Sequence, residues 1–236
     1  MSPRRTALVT GAAQGIGRAC VDALQASGLR VIGVDIKDQD QRGLDAVIRA
    51  DLSDADVCHE VIEAAGAVDV LVNNAAVLVE KPIDVFSVPE FDHTVAVNLR
   101  APFLLAQGLV RSMAEREWGR LINVASIGAR TGGISDSAVY AATKAGLVSL
   151  TRSFARHYGG AGITANAVAP GAIATPMAVD QFDRSPELHD RVVSQIPVGR
   201  LGTGAEVADV VNFLAGDAAA FVNGVTIDVN GGWVMA

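Results

Sequence analysis

Short apolar runs rich in Val, Ile and Leu recur along the chain, each followed by a longer stretch in which apolar residues return at helical spacing. The first pattern suits strands buried on both faces of a parallel sheet, and the second suits the amphipathic helices that cross back between them. Strands are predicted over Ala7–Thr10, Arg30–Val34, Val47–Ala50, Val68–Asn73, Arg120–Ser126, Ile163–Val168 and Val225–Val229. Helices are predicted over Ile16–Ser27, Ala55–Ala65, Phe91–Glu115, Ala138–Tyr158 and Gly204–Ala215. The alternation defines one α/β domain over residues 1–236, a doubly wound Rossmann-type parallel sheet of about seven strands with helices on both faces. The link from Asp35 to the third strand is short, so any crossover helix there is brief or irregular. Pro170 and Gly171 break the pattern after the sixth strand. The least helical stretch, residues 172–197, carries Pro176 and Pro186 and is read as a loop covering a binding site; a solvated surface excursion is the plainer reading.

Composition narrows the partners. The chain is 50% hydrophobic and 19% charged, with a net charge of −7, which argues against nonspecific binding to nucleic acid or an anionic membrane, since both need a cationic surface. No apolar stretch approaches a membrane span and the first residues lack a signal-peptide core, so a cytoplasmic protein is expected. Cys20 and Cys58 stand apart, without disulfide or C-x-x-C spacing, and read as small core residues. His59, His93, His157 and His189 are scattered without metal-ligand spacing, so no metal is expected.

Chemistry concentrates at predicted strand ends. The run Thr10-Gly11-Ala12-Ala13-Gln14-Gly15-Ile16-Gly17-Arg18 places three glycines where the first strand turns into the first helix. Bare backbone and the positive end of a helix form a phosphate cradle, although glycines also serve ordinary turns. Arg18 adds charge there. Asp35, closing the second strand, is placed to accept hydrogen bonds from an adenosine ribose and to repel a 2′-phosphate, which favours NAD and makes NADP the weaker candidate; Lys37 nearby opposes this, and a solvated turn residue is the alternative. Asp51 and the run Asn73-Asn74-Ala75-Ala76 fall at the same sheet edge, though Asp and Asn also cap helices and make turns.

Tyr140 and Lys144, at i and i+4, share a helix face. A phenol with a pKa of about 10 is a poor base at neutral pH, but a neighbouring cation stabilises phenolate. Ser126, at the end of the fifth strand, offers a hydroxyl to orient a carbonyl or alcohol oxygen; alone it reads as a cap. Asn98 is a polar residue amid Val95, Val97 and Leu99, which by itself suits a satisfied core amide.

Together these residues resemble the short-chain dehydrogenase/reductase family, in its shorter branch, over nearly the whole chain. The family's T-G-x-x-x-G-x-G turn matches Thr10, Gly11, Gly15 and Gly17, and its N-N-A-G motif matches Asn73, Asn74 and Ala75, with Ala76 replacing the usual glycine and tightening backbone approach there. The resemblance implies a catalytic tetrad of Asn98, Ser126, Tyr140 and Lys144. Tyr140 exchanges a proton with the substrate oxygen, Ser126 holds that oxygen, Lys144 binds the nicotinamide ribose and lowers the tyrosine pKa, and Asn98 positions a water in a proton relay. It also implies cofactor contacts from Gly11, Gln14, Gly15, Ile16 and Gly17, from Asp35, Asp51 and Leu52, from Asn73 and Ala75, and from Pro170, Gly171, Ile173 and Thr175, besides Tyr140 and Lys144. The interval from Ser126 to Tyr140 is slightly longer than common in the family, which reshapes the substrate pocket.

A homotetramer is expected, with the two long helices packed across two-fold axes and the apolar Gly231–Ala236 tail at another interface. The expected activity is NAD-dependent hydride transfer with a small secondary alcohol, polyol or cyclic diol. The alternatives are a 3-oxoacyl-[acyl-carrier-protein] reductase, favoured less by Asp35 and the acidic balance, and a cofactor-binding regulator without catalysis. Sugar-nucleotide epimerases share the Tyr and Lys spacing but need a larger C-terminal domain. Arg130, Arg184, His189 and Arg191 are candidates for recognising an anionic substrate group, or are solvated charges.

Overall fold

A computed structural model of the chain describes residues 4–38, 44–133, 136–176, 178–179 and 186–235. Seven parallel strands form one sheet: β1 (Thr6–Thr10), β2 (Arg30–Asp35), β3 (Ala46–Arg49), β4 (Val70–Asn73), β5 (Gly119–Val124), β6 (Ile163–Pro170) and β7 (Thr226–Val229). Their spatial order is β3-β2-β1-β4-β5-β6-β7, so the direction of winding reverses between β1 and β4. The register pairs Leu8 with Ile32 on one side and with Leu71 on the other. Every residue of β1, β4, β5 and β6 is buried, because helices cover both faces; the edge strands β3 and β7 are only partly covered.

The helices are α1 (Gly15–Ala26), α2 (Ala55–Ala65), α3 (Val88–Val95), α4 (Ala101–Glu115), α5 (Gly128–Thr131), α6 (Ala138–Tyr158), α7 (Pro186–Ser194) and α8 (Gly204–Ala215). One apolar core joins α2, α4 and α6 to the sheet through residues such as Leu105, Leu109 and Leu121. The other joins α1 and α8 through Val21, Leu24, Val207 and Val211. α1 and α8 approach closely because Gly204 lacks a side chain: a Cβ there would lie 3.3 Å from that of Ala19.

The single long helix expected from Phe91 to Glu115 begins three residues earlier and is interrupted. Ser87 and Glu90 form a capping box ahead of Val88, with Pro89 in the first turn. Residues Ala96–Arg100 then form one π-helical turn, in which the Ala101 N–H reaches back to the Ala96 carbonyl. Pro102 cannot donate an N–H to the residue four positions earlier, Asn98, so the wider turn falls where the α-helical ladder is already broken.

The expected loop over residues 172–197 contains α7, a correction with a simple cause. Pro186, which made this stretch read as less helical, occupies the first helical position, where its missing N–H costs nothing, and Glu187 lies in the first turn. β6 runs through Pro170 rather than ending at Val168, and β5 ends at Val124, leaving Ser126 two residues beyond it. Between β2 and β3 no helix occurs among the described residues; residues 39–43 lie outside them. No helix among the described residues is long and apolar enough to cross a membrane.

Candidate active site

A cleft of about 980 Å³ lies outside the C-terminal ends of the strands, at the reversal point between β1 and β4. This is where open parallel sheets present loops from neighbouring strands to a ligand. At one end, β1 turns into α1 through Gly11 and Gly15, both with positive φ, at 67° and 57°. A Cβ on Gly11 would fall 2.7 Å from Asn74 Nδ2, and one on Gly17 would fall 2.0 Å from the Gly11 carbonyl oxygen, so only bare backbone fits. Gln14, the N-cap of α1, makes no side-chain cap and the first turn carries no acid, which leaves the helix's first N–H groups for an anion. Thr10 Oγ1 accepts the N–H groups of Asn74 and Ala75 at 3.0 Å each, and Asn74 Nδ2 donates to the carbonyls of Thr10 and Gly11 at 3.0 and 3.1 Å. The two loops flanking the crevice are thereby tied into one wall. Ala76 needs no left-handed backbone, so it takes the place of glycine here without strain.

Asp35 lines the cleft at the end of β2. Its carboxylate accepts the Ala13 N–H and the Lys37 N–H, both at 2.9 Å, which fixes it beside the glycine turn. The Lys37 ammonium turns instead to Gln14 Oε1 at 3.3 Å, and Arg18 pairs with Asp22 at 2.8 Å. On the opposite side Thr175 packs over Gly15, where a Cβ would lie 3.3 Å from Thr175 Cγ2. The donor set and the side-chain-free turn fit a dinucleotide pyrophosphate.

At the other end, Tyr140 and Lys144 project from one face of α6 into the same cleft as Ser126. Lys144 is among the most deeply buried side chains of the protein, and its Nζ donates to the Val124 carbonyl at 2.7 Å. It lies 5.5 Å from the centre of the Tyr140 ring. Burial disfavours its charged form and lowers the ammonium pKa to about 8. Burial also raises the Tyr140 phenol above its ordinary value, with a hydrogen bond from Ser126 acting in the opposite direction. In the protein alone, desolvation thus dominates at Tyr140, and the Lys144 ammonium is engaged by the Val124 carbonyl. Ser126 Oγ accepts the Gly128 N–H at 3.0 Å, which orients the hydroxyl and leaves its hydrogen to donate on the Tyr140 side.

Asn98 is wholly buried and its side chain is committed to structure. Nδ2 donates to the Val77 carbonyl at 2.9 Å and to Thr143 Oγ1 at 3.2 Å, while Oδ1 accepts the Val77 N–H at 2.8 Å. Both amide hydrogens are thus used. Thr143 in turn donates to the Tyr140 carbonyl at 2.7 Å, linking the π-helical turn to the helix that carries Tyr140. Thr143 was hidden in the sequence as the variable residue before Lys144.

Of the expected cofactor residues, Gly11, Gln14, Gly15, Ile16, Asp35 and Ala75 line the cleft, as do Tyr140, Lys144, Pro170, Gly171, Ile173 and Thr175. Gly17, Asp51, Leu52 and Asn73 are not part of that lining. Gly17 packs against the Gly11 carbonyl, Asp51 accepts the Ser53 N–H at 2.9 Å, and Leu52 is buried in the core. Asn73 Nδ2 donates to Asn123 Oδ1 at 2.9 Å, and Asn123 Nδ2 to Thr151 Oγ1 at 2.8 Å, a buried polar chain binding β4 and β5 to α6. Lining residues that the sequence did not single out by themselves include Leu78, Glu80, Leu188, within the expected covering segment, and Trp233. Of the four candidate anion-recognising residues, Arg130 is paired with Asp228 at 2.7 Å, His189 contacts Asp190 at 3.2 Å, Arg191 is exposed, and Arg184 lies outside the described residues.

A family model described as enoyl-(acyl carrier protein) reductase matches residues 11–234. With a seven-stranded parallel sheet and a glycine cradle facing Ser126, Tyr140 and Lys144 across one cleft, the chain belongs to the short-chain dehydrogenase/reductase family of nicotinamide-dependent oxidoreductases. Among curated proteins it is 37% identical to an uncharacterized oxidoreductase of Schizosaccharomyces pombe, over 97% of this chain and 90% of that one. It is 36% identical to the 3-oxoacyl-[acyl-carrier-protein] reductase of Escherichia coli, over 98% of each. Among solved structures, a Beutenbergia cavernae protein described as an NAD(P)-dependent gluconate 5-dehydrogenase, with NADP bound at low occupancy, superposes with a TM-score of 0.92 at 33% identity, over 97% of this chain and 96% of that one.

Proposed function

We propose that the protein transfers a hydride reversibly between the nicotinamide of NAD and a secondary alcohol or ketone, with Tyr140 as general acid and base. The observation that carries this reading is the convergence of Tyr140, Ser126 and Lys144 on the cleft whose other end is the glycine cradle. A bound nicotinamide dinucleotide supplies or accepts the hydride. In the reducing direction Tyr140 gives its phenolic proton to the carbonyl oxygen as the carbonyl carbon takes the hydride; in the oxidising direction the phenolate takes the hydroxyl proton as the carbinol carbon loses hydride. Ser126 donates its O–H to the same oxygen and holds it beside the phenol. Lys144, with N–H groups to spare after bonding Val124, is positioned to hold the nicotinamide ribose and to favour the phenolate. Gly11, Gln14 and Gly15 hold the pyrophosphate, and Pro170, Gly171, Ile173 and Thr175 flank the nicotinamide end. α7 covers the substrate end, with Leu188 on its inner side.

Preference for NAD rests on Asp35. A fixed carboxylate beside the ribose accepts its hydroxyls and repels a 2′-phosphate, and Lys37 is turned away to Gln14. The test is kcat/KM with NADH against NADPH on one ketone, for wild type and Asp35→Asn. We expect at least about tenfold preference for NADH, narrowed in the variant. Equal use, or preference for NADPH in the wild type, would reverse the assignment.

Similarity to the Escherichia coli reductase favours a second reading, reduction of a 3-oxoacyl thioester, which would call for NADPH and a cationic docking face. The net charge of −7 and Asp35 weigh against it. We further infer a homotetramer built on α4 and α6, supported by the partly exposed ring of Phe103 on α4; a monomeric mass in solution would refute it.

A further inference from the structure

The cleft is also lined by Leu78, from the loop after β4, Leu188, from α7, and Trp233, from the segment after β7. Trp233 is held from both sides. Its indole Nε1 donates to Gln195 Oε1 at 3.1 Å, just beyond α7, and its own segment is locked to the chain there by the Val198 N–H bonding the Gly231 carbonyl at 3.1 Å. Gly231 and Gly232, with φ of 63° and 83°, let this segment pass against Ile196 and Pro197; a Cβ on Gly231 would lie 2.7 Å from Ile196 Cγ2. Asn230 closes the turn, accepting the Gly232 N–H at 2.9 Å and donating to the Val234 carbonyl at 2.8 Å. The indole therefore faces the cleft in a fixed place.

Among the described residues lining the cleft the sole basic side chain is Lys144, which is buried and bonded to Val124. A sugar acid or a phosphate-bearing thioester needs a cation to meet its negative charge, and none of the described lining supplies one there. A flat indole and two leucines suit a neutral carbon ring instead.

Building on the hydride-transfer reading above, we propose that Trp233 is a specificity-determining residue that, with Leu78 and Leu188, selects neutral cyclic secondary alcohols and their ketones over carboxylate-bearing substrates, and that Gln195 is its positioning residue. The test measures kcat and KM with NAD for cyclohexanol, isopropanol and gluconate in the full-length wild type, Trp233→Ala, Trp233→Phe and Gln195→Ala. We expect wild type to prefer cyclohexanol over gluconate at least about a hundredfold in kcat/KM. Trp233→Ala raises KM for cyclohexanol about tenfold or more and leaves isopropanol and NAD nearly unchanged. Trp233→Phe restores most of the loss, and Gln195→Ala reproduces it in smaller measure. An equal fall for all substrates, or no change in Gln195→Ala, would make Trp233 structural and overturn the proposal. Gluconate turnover without cyclohexanol turnover, lost in Tyr140→Phe, would overturn the apolar selection while leaving hydride transfer at Tyr140 standing. No turnover of any substrate by a wild type that binds NAD would instead overturn the hydride-transfer reading, and this selection with it.

Discussion

At the nucleotide end of the cleft, Gly11 and Gly15 present bare backbone within one short turn, Gly17 lets α1 start against the Gly11 carbonyl, and the neighbouring loop after β4 is bonded to that turn through Thr10 and Asn74. At the substrate end, Leu78, Leu188 and Trp233 bring side chains from three segments far apart in sequence, held together by contacts such as that of Trp233 with Gln195. The first design tolerates almost no change, because its recognition element is the absence of side chains. The second exchanges side chains without disturbing the sheet, which is how one dinucleotide-binding frame serves many substrates.

That contrast is sharpest at Gly17. A Cβ there would fall 2.0 Å from the Gly11 carbonyl oxygen, so Gly17→Ala must push the turn apart. We expect dinucleotide affinity to fall at least about a hundredfold, with stability lower by about 3 kcal/mol, measured by fluorescence titration and urea unfolding. Unchanged affinity would erase the distinction between the two ends.

Lys144 sits between them and yields the next largest effect, on stability. Its pKa falls from the 10.5 of free lysine to about 8 by burial. Between these values the unfolded chain holds the proton and the folded chain does not, so unfolding takes up a proton and stability rises with pH across this window. At neutral pH the buried charge thus carries a penalty of about 3 kcal/mol that fades as pH climbs towards 10. Urea unfolding of cofactor-free wild type and Lys144→Met as a function of pH isolates it: wild type gains on the variant from pH 8 upwards, whereas a constant difference would mean that the lysine is not destabilised by burial.

The smallest effect is expected at Thr143, which joins Asn98 to the Tyr140 turn. Thr143→Val leaves a buried Asn98 donor without its partner and loosens the Tyr140 turn. We expect kcat to fall about tenfold with little change in dinucleotide affinity, and stability to drop by about 1 kcal/mol. A change in affinity without a change in kcat would place Thr143 with the nucleotide end instead.

What was legible beforehand follows the same division. The parallel sheet, its seven strands and the glycine turn could be read directly, because continuous Val- and Ile-rich runs and a glycine-rich turn are local signals. Ser126, Tyr140 and Lys144 could be read because two of them share a helix face and the third follows a strand. Asn98 was noticed for its polarity, but its commitment to Val77 and Thr143 depends on a π-helical turn that no spacing announces. Asp51 was singled out by its place at the sheet edge and Leu52 by family resemblance, and packing puts Leu52 in the core. α7 was obscured because Pro186 looks the same in sequence whether it ends a segment or begins a helix. Trp233 carried a signal as an apolar residue after paired glycines, but its position over the cleft arises from contacts with Gln195 and residues 196–198, which only the folded chain brings near.

The central claim is that Tyr140 performs the proton transfer within a site whose dinucleotide end is built independently of it. The most direct measurement compares wild type and Tyr140→Phe in two readings, the affinity for NADH by fluorescence titration and the turnover of a ketone by loss of reduced-nicotinamide absorbance. The account predicts that turnover falls by about a thousandfold or more while NADH affinity stays within about twofold. Turnover retained in the variant, or turnover and affinity lost together, would contradict it.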